Sequence, residues 1–394
     1  MVRKSLYCGG PAVSLGQWFG AGAERSGHAG AWPQLQGRTV IGTLRGRTAV
    51  ALACRLLGIH SNHEILVPAY NCGTEIDALL HCGADLVGYQ ITRRCEIDLD
   101  DLFSRLTKRT RAVYLIHYFG WEQPVEKIRA WCDEHGLLLI EDCALALFSA
   151  GQNGGIGRHG DAAIFSLPKS LGVVQGGLLT LAAPPAGGMP TLKSTGSDIW
   201  LKEIRYSTRA AVFENLEKLG VYGALVSAHR RRKAAAGSTP PAGELPDMPE
   251  NYYFNPDAEA ERALHPKTEA LLDTIPWQQQ IRARRENYSR LARALAGIPG
   301  VDLLYDELPA GVCPLSLPLL VENRDPCARD LQARGISAFP WWAGFHRGAL
   351  DWSSFPDACW LKNHVLTVPV YSGMKTRQCD EMAEMISEVL AVSG

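Results

Sequence analysis

Two kinds of apolar spacing alternate along the first half of the chain. Short runs that are apolar at nearly every position have the texture of strands buried on both faces of a sheet: EILVP at Glu64–Pro68, ADLVGYQI at 84–91, RAVYLIHYFG at 111–120 and LLLIED at 137–142. Between them lie segments of about ten residues with helical spacing. These are GRTAVALACRLLG at 46–58, closed by Gly58, then EIDALLHC at 75–82, DLDDLFSRL at 98–106 with acids in its first turn, and Val125–His135. The alternation predicts a mostly parallel α/β sheet flanked by helices, in which ligands bind beyond the carboxyl ends of the strands.

The pattern loosens on both sides of this region. Residues 1–40 are rich in Gly, Ala and Trp without a period and read as an N-terminal arm. Residues 41–260 form the expected large domain; they include a Pro/Gly loop at 182–191, two helical patterns between 198 and 233, and a variable loop at about 234–260 that could cover a site. Residues 261–394 read as a smaller α+β domain, with helices at 278–295, 325–334 and 378–392 and strands near 301–305 and 315–321. An aromatic cluster there, Trp341, Trp342, Phe345 and His346, reads as core or wall.

The segment 157–180, GRHGDAAIFSLPKSLGVVQGGLLT, carries the most pointed chemistry, with Lys169 set between Ser166 and Gly176-Gly177. A lysine in a partly apolar pocket can form a Schiff base with an aldehyde cofactor, and a carboxylate such as Asp142 can pair with that cofactor's pyridinium nitrogen. Tyr70, His117, Asp142 and Lys169 all follow apolar strands, so one rim of a parallel sheet would gather them. The start of the 46–58 helix, Gly46-Arg47-Thr48, offers free N–H groups to a phosphate.

Composition narrows the partners. Over 394 residues the net charge is −1, with 46% hydrophobic and 21% charged residues, which gives no bias towards nucleic acid or membrane surfaces. The basic run at 229–233 then reads as a solvated helix end. Eleven cysteines without a C-x-x-C pair or Cys/His metal spacing fit reduced thiols in the cytoplasm and no metal site. No window reaches the roughly 20 apolar residues of a membrane span.

In order, GRTAVALA, VPAYNCGTEIDALLHCGA, RTRAVYLIHYFG, LLLIEDCALAL and GDAAIFSLPKSLGVVQGG resemble the DegT/DnrJ/EryC1/StrS family of pyridoxal 5'-phosphate (PLP) dependent aminotransferases, strongly over 40–180 and weakly over 275–390. The resemblance implies the fold type I architecture, a homodimer with shared active sites, and a small-molecule amino donor such as glutamate. It also implies a keto sugar, keto cyclitol or other small carbonyl compound as acceptor. It makes Lys169 the covalent (aldimine) lysine and Asp142 the partner of the ring nitrogen. Ser166 and the backbone at Arg47 and Thr48 would hold the phosphate, and His117 would stand near the ring. Three positions depart from the family pattern: Cys72 stands where an aromatic residue stacks on the cofactor, with Tyr70 the nearby aromatic; Leu145 replaces Gln; and Arg47 replaces Thr of the phosphate motif. The Asn-Tyr-Arg segment of the family is replaced by RALHPKTEALL at 262–272. These departures leave two other readings open, a PLP enzyme performing decarboxylation, elimination or carbon–carbon bond formation, and a non-catalytic regulator.

Overall fold

The computed structural model describes residues 11, 13–20, 32, 34–151, 155–219, 221–222, 254–346, 348 and 350–393. Seven strands form the larger sheet: β1 (Thr39–Thr43), β2 (Glu64–Pro68), β3 (Asp85–Tyr89), β4 (Thr110–Ile116), β5 (Leu138–Asp142), β6 (Ala162–Ser166) and β7 (Gly177–Leu181), in the order β1-β7-β6-β5-β4-β2-β3. From β3 to β6 the neighbours run parallel, whereas β7 is antiparallel to both β6 and β1. The carboxyl ends of β1, β2, β4, β5 and β6 and the start of β7 therefore share one rim. The side chains of Ile65, Leu66, Val67, Val113, Leu115, Leu139 and Ile140 are all buried, as a sheet covered on both faces requires.

A second, antiparallel sheet follows: β8 (Asp302–Leu303), β9 (Ser316–Leu320), β10 (Phe339–Pro340) and β11 (Val365–Pro369), in the order β10-β11-β9-β8. Helices Trp277–Leu295 and Arg324–Ala333 pack on it, and helix Thr376–Ser393 packs on both of them.

Sequence periodicity had its limits here. Part of the expected irregular arm is ordered. Helix Leu15–Trp18 starts in a capping box between Ser14 and Gln17, and Trp18 is buried with its indole N–H donating to Ser207 Oγ at 2.8 Å. Thr39, at the end of that arm, already belongs to β1, whose five residues are too few to declare a period. The strands near 301–305 and 315–321 shrink to β8 and β9. One of the two central strands of the second sheet is β11, entered directly from helix Pro356–His364 with no turn residue between them to announce it. Of the two helical patterns between 198 and 233, one is helix Ser197–Lys218; the rest, with the basic run at 229–233 and the 234–260 loop as far as 253, lies outside the described residues.

Two buried networks hold the rim in place. Glu141 accepts the N–H groups of Gly157, at 2.9 Å, and Gly160, and it pairs with His117 Nε2 at 3.0 Å. His117 Nδ1 accepts the Gln123 N–H at 3.1 Å, so its Nε2 is the nitrogen that donates to Glu141. Burial alone would push the Glu141 carboxyl up, but the hydrogen bond and charge of His117 and the two glycine N–H groups outweigh it and hold the carboxyl below its ordinary value. The second network centres on Arg284, 1% exposed, which donates to the carbonyls of Ser170 at 2.6 Å, Val370 at 3.2 Å and Leu315 at 3.4 Å. It ties the C-terminal region to the residue after Lys169.

Replacing Glu141 by Gln leaves these donors facing a neutral group, and the free energy of unfolding measured with urea at pH 7 is expected to fall by about 2 kcal/mol. A carboxyl lowered in the folded state stabilises above its unfolded pKa, and that contribution is lost as the pH falls through the folded value. The wild type and Glu141→Gln should therefore converge in acid.

Candidate active site

On this rim lies a cavity of about 260 Å³, lined by Arg45, Gly46, Arg47, Cys72, Thr74, Glu75, Asp142, Ser166, Lys169 and Gly176 among others. Asp142 is the last residue of β5 and Ser166 the last of the adjacent β6; Lys169 sits in the short helix Leu167–Leu171 that begins at once after Ser166. The left-handed Gly172 ends that helix after five residues, and the chain returns as β7. Lysine and carboxylate are thus delivered to one cavity by neighbouring strands.

The two carboxyl groups differ in their surroundings. Asp142 Oδ2 accepts the Tyr114 hydroxyl at 2.7 Å and Oδ1 the Ala144 N–H at 2.8 Å. Glu75, in the first turn of helix Thr74–Leu80, reaches back to the Cys72 N–H at 2.8 Å. Burial first, and then the charge of Asp142, push the Glu75 carboxyl up. Burial likewise raises the Cys72 thiol, with Glu75 adding to it. Among the described residues Lys169 Nζ has no hydrogen-bonding or ion-pairing partner; it lies over the face of Trp342, 5.8 Å from the ring centroid.

The cationic side of the cavity fits a phosphate-bearing cofactor. Helix Gly46–Leu56 starts at Arg45, which supplies no side-chain cap, so the first N–H groups of the helix are left to another acceptor. Arg47 is engaged by Glu259 in a fork of 2.5 and 2.7 Å. Arg45 Nε pairs with the same carboxylate at 3.4 Å but, among the described residues, makes no hydrogen bond although the atom is buried. One carboxylate therefore answers two guanidinium groups. Burial and then the Arg47 charge lower the Arg45 guanidinium from its usual value. The Ser166 side chain does not cap its helix, and a Cβ at Gly177 would come within 2.4 Å of the Arg45 carbonyl, so glycine is what keeps the cradle open.

Of the residues singled out in the sequence, Lys169, Asp142, Ser166, Arg47 and Cys72 line the cavity; Thr48, His117 and Tyr70 do not. Successive strand residues face opposite ways, and His117 sits with Glu141 on the face away from Asp142. Tyr70 is fully buried, stacked on Tyr118 at 5.6 Å, with its hydroxyl on the Trp341 carbonyl at 3.2 Å. Thr48 is fully buried and its hydroxyl has no partner. Sequence reasoning missed Arg45, Glu75, Tyr114 and Gly177. Only Glu75 had a local signal, as an acid directly after the Cys-Gly-Thr loop.

Comparison with known proteins follows from this geometry. Residues 17–209 match the DegT/DnrJ/EryC1/StrS aminotransferase family. The chain is 33% identical over 137 residues to a GDP-perosamine synthase of Vibrio cholerae, a match that spans only 37% of that relative and 34% of this chain. It is 25% identical to the dTDP-4-dehydro-2,3,6-trideoxy-D-glucose 4-aminotransferase of Saccharopolyspora spinosa, over 94% of this chain and 90% of that one. The fold is shared with the crystal structure of the aminotransferase TlmJ from Streptoalloteichus hindustanus, at a TM-score of 0.67 and 19% identity over the whole of both chains.

Gly177→Ala would drive its methyl group into the Arg45–Gly46 backbone, which cannot swing aside as a flexible side chain can. Thermal or urea unfolding should show a loss of about 1–3 kcal/mol, the usual cost of overpacking. Inorganic phosphate, which should stabilise the wild type, should protect this variant much less.

Proposed function

This chain belongs to the DegT/DnrJ/EryC1/StrS aminotransferase family, and on that footing we propose that it is a PLP-dependent aminotransferase moving an amino group from an amino acid, glutamate above all, to a keto sugar, keto cyclitol or other small carbonyl compound. The observation that carries this reading is the meeting of Lys169 and Asp142 in one cavity with an anion cradle beside them. When bound, the cofactor supplies a carbonyl group for amine exchange and a ring that accepts the electrons left on the donor carbon.

The residues would divide the work as follows. Arg45, Ser166 and the N–H groups at the start of helix Gly46–Leu56 hold the phosphate. Asp142, kept acceptor-ready by Tyr114 and Ala144, pairs with the ring nitrogen and keeps it protonated. Lys169 Nζ would anchor the aldehyde and take the proton from the donor's α-carbon. The sugar aminotransferase among the relatives that span nearly the whole chain supports a small carbonyl acceptor.

We also infer a homodimer. Leu201, Val212 and Leu219 are exposed at spacings of 11 and 7 residues on and just beyond helix Ser197–Lys218, which puts them on one stripe of that helix. Light scattering should report twice the chain mass.

Glutamate added to the cofactor-loaded protein should bleach the visible absorbance band, and a keto acceptor should restore it with the amino group transferred to product. If no amino donor changes the band, the reading fails. Lys169→Ala should abolish the band and cut turnover by at least ~10²-fold, and Asp142→Asn should cut turnover by at least ~10²-fold with the cofactor still bound, the scale of a lost proton-transfer or charge partner.

A further inference from the structure

Among the described residues, Trp342 is the one aromatic side chain whose ring faces the Lys169 amine, and its backbone is held in an unusual state. Its φ of 49° lies in the left-handed region, which a bulky residue adopts only where its surroundings enforce it. The ring is held by neighbours at 5.3 Å (Tyr70) and 5.8 Å (Tyr118 and Trp341), yet Trp342 as a whole is only half-buried. An aromatic face from the C-terminal region is thus presented 5.8 Å from the reacting amine, just outside the residues that line the cavity itself.

The enforcing group is Lys362. Its side chain, on helix Pro356–His364, is fully buried, and its ammonium donates to the carbonyls of Asn71 at 2.8 Å, Gly344 at 2.9 Å and Trp342 at 3.1 Å. The rings of Trp352, Phe345 and Tyr70 surround it, at 4.9, 5.6 and 5.9 Å. Three donors meet three carbonyls, and they join the turn that carries Trp342 to the loop that leads into Cys72.

Building on the aminotransferase reading, we propose that Trp342 is the specificity-determining wall of the acceptor site and that Lys362 is the positioning residue that holds it there. An indole face is apolar and electron-rich, and it complements the C–H face of a saturated ring such as a hexose or cyclitol better than it does a short open-chain keto acid. The clamp depends on the charge of Lys362. Burial lowers the ammonium to about 8, against the opposing charges of Cys72 and Glu75 from the facing loop and helix and of Cys359 from its own helix. Above that pH only two N–H groups remain for the three carbonyls, and the Trp342 turn loosens.

The test begins on cofactor-free protein labelled with 5-fluorotryptophan, the Trp342 resonance being assigned with Trp342→Phe. That resonance should move with a midpoint near pH 8 in the wild type, and the movement should vanish in Lys362→Met. Adding a keto cyclitol should shift the same resonance, and adding pyruvate should not. A resonance that ignores pH, or that moves alike in Lys362→Met, overturns the clamp; one that ignores the cyclitol overturns the wall. In the loaded enzyme, Trp342→Ala should raise KM for a cyclic acceptor about tenfold, well beyond its effect on the KM for glutamate, and Trp342→Phe should restore most of the loss. Equal effects on donor and acceptor would overturn the assignment. If the wild type converts no donor, the aminotransferase reading fails, whereas the fluorine measurements still decide the wall and its clamp.

Discussion

Glu141 and Asp142 stand side by side at the end of β5, and a strand turns successive side chains to opposite faces. That alternation gives two adjacent acids unrelated tasks. Glu141 faces inward, where its oxygens take N–H groups from Gly157 and Gly160 and pair with His117. In doing so it anchors the excursion between β5 and β6, so the chain re-enters the sheet directly beside β5. Asp142 faces the cavity because Glu141 does not, and Ser166 and Lys169 arrive next to it because the excursion is held at that length.

The cavity formed in this way is charged unevenly. Its positive side consists of a helix start without a side-chain cap and two guanidinium groups that share the single carboxylate of Glu259. Its negative side consists of Asp142 and Glu75, close enough that the charge of the first raises the carboxyl of the second. A ligand with an anionic group at one end and a protonated ring nitrogen at the other would satisfy both, and a neutral ligand would satisfy neither. Lys169, without a partner of its own among the described residues, is the group left free to react.

The C-terminal region is coupled to this cavity through buried cations that have backbone carbonyls as partners. Arg284 reaches Ser170, the neighbour of Lys169, and Lys362 reaches Asn71, the neighbour of Cys72. Burying a cation in this way is costly, and the carbonyls that offset the cost come from several segments that must hold one arrangement. The result is a tether with a defined geometry. A purely apolar contact would have allowed the two sheets to slide relative to one another.

Local order was legible in the sequence because its signals are local. The apolar runs announced β2, β4 and β5, the helical periods announced the helices between them, and the Lys169 segment with its Gly-Gly pair announced a strand, a reactive lysine and a return strand. The family resemblance rested on those same blocks. What the sequence could not express was which strand-end residues share a face and which distant segments meet. His117 and Tyr70 follow strands just as Asp142 does, but the pleat and the aromatic packing turn them into the interior. Arg45 and Tyr114 have unremarkable neighbours in the chain and matter only through the cavity that they border or brace. Trp342 stands in the last quarter of the chain and reaches Lys169 only because Lys362 secures its turn. Periodicity determined the central alternation of strands and helices; β1, β11 and the composition of the site were decided by contacts between elements, whose energies depend on positions that no local pattern encodes.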